Sequence, residues 1–134
     1  FFADFVIWVC NGGFQGCSLA ALNFDTAFQK LLIKSAQNTA EVGDITVLSI
    51  RDDAYFIGNP QTVVNFFQNF NNTITSFNLT ANTAKTATYC PPSNFESASD
   101  HQSALDTLRQ LEGVEPATDL FFAANCPILT VIVD

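Results

Sequence analysis

The sequence predicts an α+β fold: a mainly antiparallel sheet with helices packed on one face, in the split βαβ, ferredoxin-like manner. Three observations carry that prediction. Short apolar runs rich in β-branched and aromatic residues recur along the chain. Segments with apolar residues at helical spacing alternate with them. The resulting order is strand, helix, strand, short strand, helix, strand, helix, strand. A doubly wound parallel sheet is the second architecture that this order allows.

The first strand is expected at Ala3–Cys10, in "ADFVIWVC". After a glycine-rich turn the period changes. Phe24, Ala27, Phe28, Leu31 and Leu32 follow i, i+3, i+4, i+7, i+8 spacing, with Asp25, Gln29, Lys30 and Lys34 on the other side. The helix they define starts at a cap on Ser18 or Asn23. "DITVLSI", Asp44–Ile50, is the second strand, and "AYFIG" a short third. Asn59-Pro60 marks a helix start, an N-cap followed by proline at the first helical position. Val63, Val64, Phe66, Phe67, Phe70, Ile74 and Phe77 continue from it. Thr86–Cys90 is a strand broken by "PPSN". "SASDHQSALDTLRQLEG" is a polar helix with Leu105, Leu108 and Leu111 inward and Gly113 as its C′ stop. Ile128–Val133 is the terminal strand. Phe24, Phe28, Leu31, Leu32, Val63, Phe67, Leu105 and Leu108 are expected to face the sheet.

The 134 residues fit one globular domain, 1–134. At 48% apolar residues, 14 of the chain's residues being Phe, there is ample surface to bury, which excludes disorder. The net charge of −8 arises because Lys and Arg number only five. So few cations disfavour nucleic acid, whose phosphates must be neutralised, and anionic membrane surfaces. The apolar run Phe1–Val9 contains Asp4 and is too short to span a bilayer. Methionine is absent, so the chain is expected to be a piece excised from a longer secreted product.

"CNGGFQGC" invites three readings. A dinucleotide fingerprint would need glycine at Asn11 and an acid about 20 residues on, whereas Asp52 and Asp53 come too late. Dithiol redox chemistry needs two residues between the cysteines, and zinc needs more ligands than the lone histidine, His101, helps to supply. A stapled loop fits better: six intervening residues, three of them glycine, let the two Cα atoms close to about 4.4–6.8 Å. The expectation is therefore Cys10 bonded to Cys17 and Cys90 to Cys126, although three pairings of four cysteines are possible. Two free buried thiols are the alternative for the glycine loop. Two sequons, at Asn71 ("NNT") and Asn78 ("NLT"), mark glycosylation acceptors and agree with an oxidising, secretory compartment.

No catalytic constellation is visible. His101 and Asp106 share one short helix, whereas a triad converges from separate elements. Glu41, Asp44, Asp52 and Asp53 lack the ordered spacing of a calcium loop and read as a solvated acidic turn. No cofactor and no metal are expected. Trp8, Tyr55, Tyr89 or exposed Phe residues of "VVNFFQNFNNTITSF" could serve as stacking platforms for a ligand, with core filling as the default.

The pattern "FVIWVC……C……FDTAFQKLL……ITVLSI" resembles globular segments of the pherophorins, with looser agreement in "YCPPSNF" and the cysteine before the last strand. Pherophorins are secreted hydroxyproline-rich glycoproteins of the extracellular matrix of volvocine green algae. The resemblance implies a non-enzymatic, glycosylated cell-wall or surface-filament component. Together with the residues, the expected function is a structural or assembly domain of a secreted glycoprotein. Its expected partners are other matrix or filament glycoproteins, further copies of itself and carbohydrate. A carbohydrate- or ligand-binding module is the alternative, and a small enzyme the third.

Overall fold

The computed structural model describes residues 16–37, 45–50, 53–117 and 130–133. The expected strand Ala3–Cys10 lies outside them, as do Trp8, Cys10, Glu41, Asp44, Asp52 and Cys126. The described elements are α1 (Ser18–Gln37), β1 (Ile45–Ile50), β2 (Asp53–Gly58), α2 (Pro60–Thr75), β3 (Ala87–Tyr89), α3 (Ala98–Leu108), β4 (Glu115–Pro116) and β5 (Thr130–Val133). Two single 3-10 turns, Thr83–Lys85 and Pro92–Asn94, flank β3.

The α+β class holds, and the sheet pairing is a correction. The strands lie in the order β1-β2-β5-β3-β4, and only β1 with β2 is antiparallel, running from Ile45 opposite Gly58 to Ile50 opposite Asp53. β2 with β5, β5 with β3 and β3 with β4 are all parallel. The described sheet is thus mixed, not mainly antiparallel. The connections explain it. Only residues 51 and 52 separate β1 from β2, and a link that short can only reverse the chain. β2 reaches β3 through α2, and β3 reaches β4 through α3; a helical crossover brings a strand back in the same direction.

Register assigns the faces. Val47 pairs with Phe56, Phe56 with Val131, and Val131 with Thr88, so Val47, Phe56 and Thr88 share one face. Leu48, Tyr55 and Ala87 lie on the other. The helices gather over the Phe56 face. Phe56 is fully buried and meets Phe66 of α2 edge-on at 4.7 Å between ring centroids, and Phe70 at 5.6 Å. Such edge-to-face pairs add to the area they bury. Val63, Val64 and Phe67 of α2 and Ala104 and Leu108 of α3 complete the core with Leu31 and Leu32 of α1.

α2 begins where the sequence places it. The Asn59 side-chain carbonyl accepts the Thr62 N–H at 2.9 Å, and Pro60 fills the first turn. Its end departs from expectation. The helix stops at Thr75, and Leu79 N–H donates to the Ile74 carbonyl while Asn78 N–H donates to that of Thr75, each at 3.0 Å. Asn78 takes the left-handed φ of 58° that this Schellman closure requires. α3 is capped by Ser97, whose hydroxyl accepts the Asp100 N–H. It ends at Leu108, before the expected stop, because Gln110 and Leu111 N–H donate three residues back and tighten the last turn. Gly113 keeps a left-handed φ of 75°, but in the loop beyond.

α1 starts at Ser18, with the Cys17 carbonyl accepting from Ala21 N–H; neither Ser18 nor Asn23 stands before the helix as a cap. Only Leu31, Leu32 and Ser35 of α1 are buried. The helix packs chiefly against α2 among the described elements. Phe28 is half-buried and meets Phe70 edge-on at 5.9 Å, while Phe24 stacks on Phe28 at 5.6 Å and stays 43% exposed. The expected sheet contact of Phe24 is corrected accordingly. Of the other residues expected to face the sheet, Leu31, Leu32, Val63, Phe67 and Leu108 are buried, and Leu105 is half-buried at the core's edge. Among the described residues, no helix is long and apolar enough to cross a membrane.

Candidate functional site

A recess lies between α2 and the loop that follows α3. It is a groove of about 700 Å3 lined by Phe67, Gln68, Asn71, Asn72, Thr83, Gln110, Leu111, Glu112 and Gly113. Its construction follows from helix periodicity. Phe67 and Phe70 point inward, so Gln68, Asn71 and Asn72 form the stripe beside them that faces the groove. Opposite, Leu111 and Val114 are buried and anchor the loop, which leaves Glu112 exposed between them and Gln110 exposed just before them. Gly113 closes the end. A Cβ there would sit 3.1 Å from Thr83 Oγ1, so both the left-handed backbone and the close approach of Thr83 call for glycine.

The groove is lined chiefly by amides. Elsewhere on these helices such side chains pair along the surface: Gln61 donates to Asn65 at 3.0 Å and Gln102 to Asp106 at 2.9 Å. Among the described residues, no such bond occupies Gln68, Asn71, Asn72 or Gln110. Glu112 is the one charged residue among the described residues of the lining. A smaller recess, about 250 Å3, lies between α1 and β1 and is lined by Asp25, Gln29, Leu32 and Ser49.

The residues singled out from sequence fall in separate places. Asn71 is half-buried in the groove, on α2. Asn78 is exposed in the turn beyond the helix, between exposed Phe77 and Leu79. Closure of α2 at Thr75 and the left-handed Asn78 put the two sequons in different elements. Lys34 of α1 lies 5.4 Å from the Phe77 ring centroid and joins the two helices' ends.

Cys17 is exposed just ahead of α1, next to Gly16 with its φ of 87°, and Cys90 is buried. Among the described residues neither thiol has a disulfide partner, and the cysteines expected to pair with them, Cys10 and Cys126, lie outside those residues. Burial pushes the Cys90 thiol above its ordinary pKa.

His101 Nε2 lies 2.9 Å from the Cys90 carbonyl, so that nitrogen carries the proton and donates it. Its ring leans on Phe95 with centroids 5.4 Å apart. Asp106 instead pairs with Arg109 at 2.7 Å and accepts from Gln102. The structure therefore does not bring His101 and Asp106 into one constellation. Asp53 is half-buried at the start of β2, and no cluster of three or more His, Cys, Asp or Glu suited to a metal occurs among the described residues. Tyr55 and Tyr89 are half-buried and lie on the same sheet face by register, one strand apart.

The sequence marks "VVNFFQNFNNTITSF" as a ligand groove or interaction face through its phenylalanines, but not the amide-lined groove found there. Its signal was present in "FFQNFNN", where amides alternate with the phenylalanines of an amphipathic helix. The far wall, Gln110 to Gly113, is about forty residues away and carries no motif that links it to α2. Comparison of the chain with protein-family models, with curated proteins and with solved structures gives no match.

Proposed function

We propose that this chain is a non-enzymatic structural or assembly domain of a secreted glycoprotein of the extracellular matrix, cell wall or surface-filament kind, as the pherophorin resemblance implies. The observation that supports it best is the Asn78 sequon. Asn78 and Thr80 are both exposed among the described residues, in the turn beyond the end of α2, which leaves room for an oligosaccharide on Asn78. Exposed Phe77 and Leu79 on either side offer apolar surface for assembly with matrix glycoproteins or with another copy. The expected bonds Cys10–Cys17 and Cys90–Cys126 belong to the same reading.

Glycopeptide mapping of secreted protein tests it. Carbohydrate on Asn78, lost in Asn78→Gln, is the expected result; an unmodified Asn78 in material that passed through a glycosylating secretory pathway contradicts it.

The second reading is a carbohydrate- or ligand-binding module. The unengaged amides of the α2 groove favour it.

A further inference from the structure

The geometry points to the α2 groove as a binding site for a neutral saccharide, held by the side-chain amides of Gln68, Asn71, Asn72 and Gln110. This inference rests on the binding-module reading and names its site and ligand class. Four features select the ligand. The volume, about 700 Å3, falls within the usual range of small-molecule sites, about 300–1,000 Å3. Each amide offers two N–H donors and a carbonyl acceptor, the set that sugar hydroxyls, at once donors and acceptors, can satisfy together. Among the described residues the lining holds no cation, and Glu112 sits among the amides, so sulfated, phosphorylated or uronic ligands meet repulsion in a chain already at −8. One carboxylate is also too few for a calcium ion, which takes six to eight oxygens.

The groove is a built feature. Phe67 and Leu111 close its floor from the core, and Gly113 admits Thr83 at its end. The amides stand unpaired where comparable side chains on the same helices are paired. The placement of Asn71 has a consequence for modification. A glycan on Asn71 would fill the groove, so the two asparagines divide the work: Asn78 carries carbohydrate and Asn71 contacts it as ligand.

The test uses the full 134-residue chain, 15N-labelled and unglycosylated, titrated with N,N′-diacetylchitobiose, cellobiose and mannobiose, and with a sulfated disaccharide as the charged control. At least one neutral disaccharide is expected to shift the side-chain NH2 resonances of Gln68, Asn71, Asn72 and Gln110. Asn72→Ala with Gln110→Ala, both exposed positions, should weaken that binding at least about tenfold with the backbone spectrum otherwise retained. Three results overturn the proposal: no neutral disaccharide shifting these amides up to about 10 mM, unchanged binding by the double variant, or a sulfated disaccharide bound as tightly. Saccharide shifts confined to the Tyr55 and Tyr89 face would overturn the groove and keep the binding-module reading. No shift anywhere would remove both.

Discussion

At Thr88 a hydroxyl is fully buried, and among the described residues its Oγ1 has no hydrogen-bond partner. An unsatisfied buried hydroxyl costs about 1–3 kcal/mol, so Thr88→Val, similar in shape, should raise stability by about 1 kcal/mol in urea unfolding. A loss of that size would mean that the hydroxyl has a partner. Asn78 is a second residue whose identity follows from the backbone. Asn78→Gly should leave stability within about 0.5 kcal/mol, while Asn78→Ala, with its Cβ in the left-handed region, should cost about 1 kcal/mol by the same measurement.

Cys90 makes a pH prediction. Its folded pKa is raised because burial penalises the thiolate. Below the ordinary thiol value of about 8.5 the proton is bound in both states, and the contribution to stability is fully present. Above it, and up to the raised folded value, the unfolded chain releases a proton that the folded chain keeps, so stability falls as pH rises. In reduced protein, the wild type should therefore lose stability relative to Cys90→Ala as pH rises from 8 upward. In oxidised protein with Cys90 in a disulfide the relative slope should vanish. Urea midpoints across that pH series, with and without reductant, read both outcomes.

At the scale of the elements, the weight of the fold falls on the α2–β2 contact. Phe56→Ala removes a fully buried ring from between Phe66 and Phe70 and should cost about 3–5 kcal/mol, whereas Phe24→Ala, at a largely exposed ring, should cost no more than about 1 kcal/mol. Equal losses would contradict the packing described. What the sequence showed clearly at this scale were features set by neighbours in the chain. Asn59-Pro60 announced its helix, and Ile45–Ile50 read as a strand from its own residues. The end of α2 was misread because apolar residues continue through Phe77, and the periodicity carried no sign that Asn78 would turn left-handed. Phe24 was misread for a related reason. Spacing placed it on the apolar stripe of α1, but spacing cannot tell which turns of that stripe meet a partner.

Across the whole molecule, strand direction and the groove were the least legible features, since both depend on residues far apart in sequence. Strands joined by helices return parallel once they sit side by side, and the same local patterns are compatible with either sheet. The groove needs the α3 loop to meet α2, a contact that no local motif encodes. Charge was legible at once. With five cations against thirteen acids, the surface should repel polyanions, and a heparin column at low salt should fail to retain the protein. Retention there would expose a basic patch that the composition gives no reason to expect. The proposed extracellular glycoprotein domain would carry two marks together, a glycan on Asn78 and paired cysteines. The intact mass of native material, taken before and after deglycosylation and again after reduction with thiol alkylation, tests it most directly. The account predicts a mass drop on deglycosylation that leaves aspartate at Asn78, and four cysteines that alkylate only after reduction. An unchanged mass with all four thiols open to alkylation from the start would contradict it.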